Sequence, residues 1–288
     1  MIMERKVTFL FSTGRCGSTL AQRLINSSPE TIIWGEHDGF LGPISDSYFR
    51  LLNSKNIDKI SYQNPGKFSP INIIKQREKI CQSEISWMNN FTKDKLRDNY
   101  KNFVELVFCD ELPESISCWG FKEIRYGLNS NDSSINMLID FFPKSRNLII
   151  VRNPLDTIVS MVTAWNPHLV DECRNSNETD QLKNLVRKRA IKWSNQNKNL
   201  LTYTQKFPDN FMVVKYEEFE QEFEKSVFDF IGLDCPENIH KVLAKNVWQT
   251  KTGKRSSFVR DFIHSIGDCE FWKNIELVAS DLDYSIKL

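Results

Sequence analysis

Five of the eleven glycines in this 288-residue chain fall within residues 14–42, and two of them form a short loop between a predicted strand and a predicted helix. The strand, residues 7–11, is a run of β-branched and aromatic residues, and apolar residues recur at helical spacing over 18–26. Such a loop directs several backbone N–H groups and the positive end of the helix dipole toward one point. The sequence therefore predicts an anion-binding loop at residues 13–19.

Strands and helices alternate along most of the chain. Further strands are predicted at residues 31–34, 119–126, 147–151 and 211–215, and helices follow several of them. Residues 45–115 are predicted to form a helical insertion, and residues 166–177 a polar loop. This alternation predicts an α/β fold with a central parallel sheet flanked by helices, in a single domain spanning residues 1–288.

Composition excludes several classes of protein. The 38 Lys and Arg residues nearly balance the 37 Asp and Glu residues, which argues against nucleic acid or an anionic membrane as the main partner. With 40% hydrophobic and 26% charged residues, the chain is neither disordered nor fibrous. The seven cysteines include no Cys-x-x-Cys pair, which indicates reduced thiols without a metal site and favours a cytoplasmic location.

The first loop carries side chains suited to phosphate as well as its backbone. Arg15 offers a charged fork, while Ser18 and Thr19 offer hydroxyl donors. Gly17 is followed by Ser18 rather than Lys, so the loop is not a Walker A motif. Cys16 stands at a helix N-terminus beside Arg15, which predicts a lowered thiol pKa. The predicted phosphate-binding residues are Gly14, Arg15, Cys16, Gly17, Ser18 and Thr19.

A second anion site is predicted after the strand at 147–151. Arg152 stands directly behind this strand, and Asn153 with Pro154 is typical of a helix start. Ser160 follows eight residues after the arginine, two turns into that helix. Because ligands of open α/β sheets bind beyond the carboxyl ends of the strands, we expect Arg152 to meet the same ligand as the first loop.

Together the two motifs resemble the sulfotransferase family that uses 3′-phosphoadenosine 5′-phosphosulfate (PAPS). The resemblance implies a P-loop-like three-layer fold, with the first loop on the 5′-phosphosulfate and Arg152 and Ser160 on the 3′-phosphate. Residues 119–126 and 214–219 also resemble family segments. They suggest Lys122 near the transferred sulfonyl group, and Tyr216 either stacked on the adenine or packed in the core. The loop after the second predicted strand, which begins Gly35-Glu36, is more similar to the bacterial and protein-tyrosine branches of the family than to the animal cytosolic one.

The resemblance implies transfer of a sulfonate from PAPS to a hydroxyl or amine of a small molecule, giving PAP (adenosine 3′,5′-bisphosphate) without a metal. In-line transfer depends on positioning and on charge stabilisation, for which Arg15 and Lys122 are the candidates. The general base is expected in the loop after the second strand, where both Glu36 and His37 qualify. The basic residues 251–257 are candidates for closing over the cofactor.

Two other functions compete with this one. A magnesium-dependent nucleotide kinase or related phosphotransferase would use the same loop, and a catalytically inactive nucleotide-sensing module would bind without turnover. The sequence does not specify the acceptor, which we expect the helical insertion and the loop at 166–177 to select. The sequence does not specify the biological role either, and we expect one in natural-product tailoring.

Overall fold

The computed structural model of the protein describes residues 5–58, 61, 91–129, 132–176, 179–237, 239–244, 253–266 and 269–285. The chain divides into two compact units. One comprises Met1–Gly39, Pro113–Asp132 and Lys144–Leu288, and the other comprises Phe40–Leu112 and Ser133–Pro143. The organisation as a single domain with a helical insertion stays a prediction.

Five parallel strands form the sheet of the first unit, in the order β2-β3-β1-β4-β5. The predicted α/β fold with a central parallel sheet is confirmed. The strands are β1 (Lys6–Ser12), β2 (Thr31–Trp34), β3 (Cys118–Glu123), β4 (Asn147–Val151) and β5 (Phe211–Lys215). Gly120 is required in β3, since a Cβ there would lie 1.6 Å from the Thr8 carbonyl oxygen of β1.

The carboxyl ends of the strands bring the predicted site residues to one edge of the sheet. Parallel pairing in register aligns these ends, so the residues that follow each strand converge although they are far apart in sequence. The residues concerned are Thr13 to Gly17 after β1, Glu36 after β2, Lys122 near the end of β3, Arg152 after β4 and Tyr216 after β5.

Alternating side chains of the strands fill a core on each face of the sheet. On one face the buried rings of Phe9 and Phe121 lie 4.6 Å apart between centroids. On the other, Leu10 belongs to a cluster with Leu24 of the following helix and with Phe223. Complete burial of one such side chain contributes about 1.5–3 kcal/mol, so these two layers fix the sheet under the site.

Twelve α-helices are assigned in the described residues. They are α1 (Ser18–Ile25), α2 (Leu41–Leu52), α3 (Lys93–Cys109), α4 (Ser133–Phe141), α5 (Pro154–Trp165), α6 (Pro167–Ser176), α7 (Asp180–Lys206), α8 (Phe219–Glu222), α9 (Phe228–Ile231), α10 (Ile239–Ala244), α11 (Gly253–Ile266) and α12 (Cys269–Asp281). A π-helical turn, Phe223–Val227, joins α8 to α9. None of the helices in these residues is both long enough and apolar enough to cross a membrane.

The polar loop predicted at 166–177 is wrong, because Pro167–Ser176 forms α6. Polar residues cover most of this helix, yet Val170 and Cys173, three residues apart, are buried. Only these two positions of the helix are buried against the rest of the protein. Two positions are too few to give a helical pattern of apolar residues that can be recognised in the sequence.

The second unit contains α2, α3 and α4. Tyr48 of α2 is buried, donates a hydrogen bond to Asp140 of α4, and lies edge-on to the Phe141 ring at 4.9 Å between centroids. The two described helices within the predicted insertion are the last part of α2 and all of α3. Residues 59–60 and 62–90 of this insertion lie outside the described residues.

Candidate active site

The loop between β1 and α1 has a backbone conformation that glycine makes possible. Gly17, the residue before α1, has φ +92°, and Arg15 also has a positive φ, of +68°. No side chain caps the start of α1, so its first N–H groups are available to a ligand. A Cβ on Gly17 would lie 2.1 Å from Cδ2 of Tyr216, and one on Gly14 would lie 2.4 Å from Cη2 of Trp165. Both glycines therefore admit aromatic rings against the loop.

Cys16 turns its thiol into the core instead of toward the ligand side of the loop. The side chain is completely buried, and Sγ donates to the carbonyl oxygens of Thr13 (2.7 Å) and Ile150 (3.3 Å). Burial raises the pKa of this thiol, and hydrogen bonds only partly oppose the rise. The predicted lowering of the pKa is wrong, because desolvation outweighs the helix dipole.

The two predicted anion motifs meet at the carboxyl ends of β1 and β4. Arg15 Nε donates to Ser160 Oγ at 3.1 Å, and Arg152 Nη1 donates to the Arg15 carbonyl oxygen at 3.4 Å. The Arg152 guanidinium also lies 4.6 Å from the centre of the Tyr216 ring. Its Nε is buried without a hydrogen-bond partner among the described residues. Two guanidinium groups thus share one corner with a hydroxyl and an aromatic ring.

The Glu217 carboxylate accepts two hydrogen bonds next to this corner. Its Oε1 accepts from the Asn153 backbone N–H at 2.9 Å, and its Oε2 accepts from the Tyr284 hydroxyl at 2.7 Å. The Asn153 side chain caps α5 by accepting from the N–H of Leu155 at 3.0 Å. The predicted helix start is confirmed, whereas the role of Glu217 was missed. Its place just behind Tyr216 is the signal in the sequence.

Lys122 and Glu36 form a second charged group beside the loop. Lys122 Nζ donates to Glu36 Oε1 at 2.6 Å and lies 3.4 Å from Thr19 Oγ1 of α1. The Lys122 side chain is 6% exposed and that of Glu36 is 32% exposed. Arg125 Nη1 lies 3.2 Å from the other oxygen of Glu36. The pair therefore joins a buried ammonium to a partly exposed carboxylate beside the start of α1.

Glu123, a residue that sequence reasoning did not select, fixes the loop carrying Glu36. Its fully buried carboxylate accepts from the backbone N–H groups of His37, Gly39, Ile124 and Arg125 and from the Arg125 guanidinium, at 2.8–3.2 Å. Burial acts to raise the pKa of Glu123, but these hydrogen bonds outweigh it and lower the pKa. An acidic residue ending a buried strand was the available signal.

His37 packs inward, next to Glu123. Its ring meets the Phe121 ring edge-on at 4.6 Å between centroids, and Nε2 lies 3.4 Å from the Tyr126 hydroxyl. The side chain is 10% exposed, and burial lowers the pKa of the imidazole despite the nearby carboxylate. His37 is therefore neutral near pH 7, with most of its ring covered.

The predicted basic closing segment, 251–257, is only partly described. Residues 251 and 252 lie outside the described residues, and α11 begins at Gly253. Arg255 makes two hydrogen bonds to Asp171 of α6, Nε–Oδ1 at 2.8 Å and Nη2–Oδ2 at 2.5 Å. Arg260 pairs with Asp156 of α5. The guanidinium of Arg255 is thus engaged by a protein carboxylate.

Comparisons with known proteins lead to the same conclusion as the fold and the two sequence motifs. The sulfotransferase domain of the olefin synthase of Synechococcus PCC 7002 superposes with a TM-score of 0.55 at 15% identity, covering 100% of this chain and 99% of that chain, so the two share a fold. A sulfotransferase from Alicyclobacillus acidocaldarius (TM-score 0.47, 14% identity, 98% and 97% covered) and one from Mycobacterium avium (0.40, 12%, 99% and 78%) are less similar. No curated protein matches the sequence. The family model described as "Sulfotransferase family" matches residues 8–237, a stretch that holds both anion motifs and the Glu36–Lys122 pair. The chain therefore belongs to the sulfotransferase family, as its two motifs predict.

Proposed function

We propose that this protein transfers the sulfonate group of PAPS to a hydroxyl or amine of a small molecule, releasing PAP and a sulfated product. The observation that carries the proposal is the convergence of Arg15, Arg152 and Ser160 on one corner, beside the Lys122–Glu36 pair. Two guanidinium groups there suit a ligand with two separate phosphate groups. A hydroxyl-bearing substrate would then meet a carboxylate and an ammonium at the neighbouring strand ends.

The residues present fit the nucleotide. Arg152 Nε is buried and unpartnered among the described residues, so an anion there would satisfy a polar group that is otherwise costly. Gly17 leaves room for the Tyr216 ring, which is partly exposed and available to stack on a base. The uncapped start of α1, with Ser18 and Thr19, would hold the 5′-phosphosulfate. Arg152 and Ser160 would hold the 3′-phosphate.

Glu36 is the proposed general base. Its carboxylate is partly exposed and lies beside Lys122, whereas the His37 ring is packed against Phe121. When bound, PAPS supplies an activated sulfonyl group on a phosphate leaving group. Glu36 accepts the proton of the acceptor's hydroxyl or amine, and Glu123 keeps its loop in position through backbone hydrogen bonds.

Lys122 and Arg15 are the proposed stabilisers of negative charge. Lys122 reaches both Glu36 and Thr19, so its ammonium lies between the base and the start of α1. Arg15 is oriented by Ser160. Fixed cations aimed at developing charge require no reorganisation during the reaction, which is the main source of catalysis in group transfer of this kind.

Thermal unfolding with PAP but no magnesium, beside ATP with magnesium, tests the proposal. A ligand at about 100 times its dissociation constant adds about 2.7 kcal/mol. For a chain of this size the unfolding midpoint should then rise by roughly 5–10 °C. Stabilisation by ATP with magnesium and none by PAP would favour a kinase instead.

A matched pair of variants assigns the effect to the site. Arg152→Gln removes the guanidinium at the carboxyl end of β4, and we expect it to abolish most of the PAP shift. Arg146→Gln removes a guanidinium group at the amino end of β4, where Arg146 lies 5.4 Å from the centre of the Phe230 ring. This variant should leave the PAP shift intact. Equal losses in both variants would contradict the assignment of the 3′-phosphate site.

A further inference from the structure

A second group of cations lies directly against the loop, around the Trp165 ring at the end of α5. The Arg189 guanidinium lies 4.9 Å and the Lys192 ammonium 5.9 Å from the centre of that ring. Trp165 in turn covers Gly14, where a Cβ would meet its ring at 2.4 Å. The Trp165 side chain is nevertheless 37% exposed. This cationic group therefore borders the loop, and part of the Trp165 side chain remains exposed to solvent.

The geometry of α7 directs these cations to the ligand edge of the sheet. Gln196, on the same helix, donates from Nε2 to the carbonyl oxygens of Ser12 (3.2 Å) and Ile124 (2.9 Å), at the ends of β1 and β3. Positions 189, 192 and 196 are spaced three and four residues apart, which puts them on one face of a helix. The two cations thus continue, toward the N-terminus of α7, the face that Gln196 fixes against the strand ends.

Neither cation is neutralised within the described part of the chain. Burial lowers the pKa of Arg189, and no described carboxylate raises it. Burial also lowers the pKa of Lys192, and the positive charges of Arg189 and Arg125 lower it further. Arg189 Nε is buried without a hydrogen-bond partner, while its Nη2 reaches only the Asn166 amide oxygen, at 3.3 Å. Partly buried like charges without a counterion are unfavourable, and a bound anion would relieve them.

We propose that Arg189, Lys192 and Trp165 form an acceptor subsite for an anionic group, so that the substrate is a hydroxyl- or amine-bearing molecule that also carries a carboxylate, sulfate or phosphate. This inference rests on the proposed function. There the two phosphates of the nucleotide are assigned to Arg15 and Arg152, which leaves Arg189 and Lys192 for the acceptor. The exposed part of the Trp165 ring would carry the flat or apolar part of the acceptor. The acceptor's charge, and not only its shape, then selects it.

The test compares two probes that differ by one charge. Binding of para-hydroxyphenylacetate and of its neutral amide is measured by calorimetry on the protein saturated with PAP. We expect the carboxylate to bind at least about tenfold more tightly, the value of one charge-assisted hydrogen bond. The double variant Arg189→Gln with Lys192→Gln should remove this preference. Arg189→Lys with Lys192→Arg, which keeps both charges, should retain most of it.

Control variants on the same helix separate a local site from general electrostatics. Lys188 and Lys198 are exposed residues of α7, and replacing both with Gln removes the same total charge. Their double variant should keep the full preference for the carboxylate. The subsite is wrong if the control variant loses the carboxylate preference to the same extent. It is also wrong if the unsubstituted protein binds the two probes equally, or binds neither of them.

Binding of PAP is measured first, independently of the two acceptor probes. If PAP does not bind the unsubstituted protein, the proposed function fails, and the carboxylate preference is still measured without PAP. If PAP binds but the Arg189→Gln, Lys192→Gln variant loses PAP itself, the two cations belong to the nucleotide site, and the acceptor subsite is wrong. Thermal unfolding of each variant without ligand establishes that it is folded.

Discussion

Substituting Gly17 with Ala would test whether the loop and Tyr216 are fitted to each other. The residue has φ +92°, a conformation that costs a non-glycine residue about 1–3 kcal/mol. The new Cβ would lie 2.1 Å from Cδ2 of Tyr216, far inside the normal separation of carbon atoms, about 3.5–4.0 Å. Relieving such overpacking costs a further 1–3 kcal/mol or so. We expect a total loss of about 2–6 kcal/mol, a large part of the ~5–15 kcal/mol stability of a typical protein.

Urea unfolding of a double-mutant cycle separates the two contributions. In a Tyr216→Ala background the ring is gone, so Gly17→Ala should cost only the backbone part, about 1–3 kcal/mol. Gly35→Ala is the matched control, because a Cβ there meets nothing within 4 Å, and its midpoint should stay near that of the unsubstituted protein. The reasoning is refuted if Gly17→Ala costs the same in both backgrounds, or no more than Gly35→Ala.

Three further predictions concern titratable residues in and around the proposed site. Glu36→Gln should lower kcat by roughly 10²–10⁴ with PAP affinity unchanged, and His37→Gln should have a smaller effect; steady-state kinetics with the reverse order would make His37 the base. The lowered pKa values of Glu123 and His37 mean that the unfolded chain binds more protons, so stability should fall as pH drops below about 6.5 and again below about 4.3. Urea midpoints measured across this range check the sign, and Glu123→Gln should flatten the lower part. Glu217→Ala should weaken PAP binding several-fold by loosening the start of α5, whereas Glu218→Ala, which removes an ion pair to Lys215 at 3.8 Å, should not; calorimetry distinguishes them.

Local patterns determined the elements that carry the site. Strand-like runs of four to eight residues predicted all five strands, although the third, predicted at 119–126, ends at Glu123. The residue after β4, Arg152, could be assigned to a strand end without any tertiary information. The Asn153 cap was equally readable, because capping depends on neighbours in the chain. Parallel pairing then brings the strand ends together, so the sequence alone was enough to predict that Arg15 and Arg152 share a ligand.

Side-chain direction was decided by contacts between distant segments. Glu36 and His37 are adjacent, yet only Glu36 meets Lys122, which stands 86 positions later. Cys16 was predicted to have a lowered thiol pKa, but its thiol is buried and donates to the carbonyl oxygen of Ile150, 134 positions away. A single sequence contains no record of such partners.

The sequence by itself thus determined the parallel sheet, the glycine loop after β1 and the position of Arg152 at a strand end, because hydrophobic periodicity, capping and glycine conformation are local properties of the chain. The tertiary structure alone decided that Glu123 holds the loop carrying Glu36 and that Arg189 and Lys192 meet at Trp165. Burial and charge pairing are properties of the space around a side chain, and that space exists only once the strands and helices have packed.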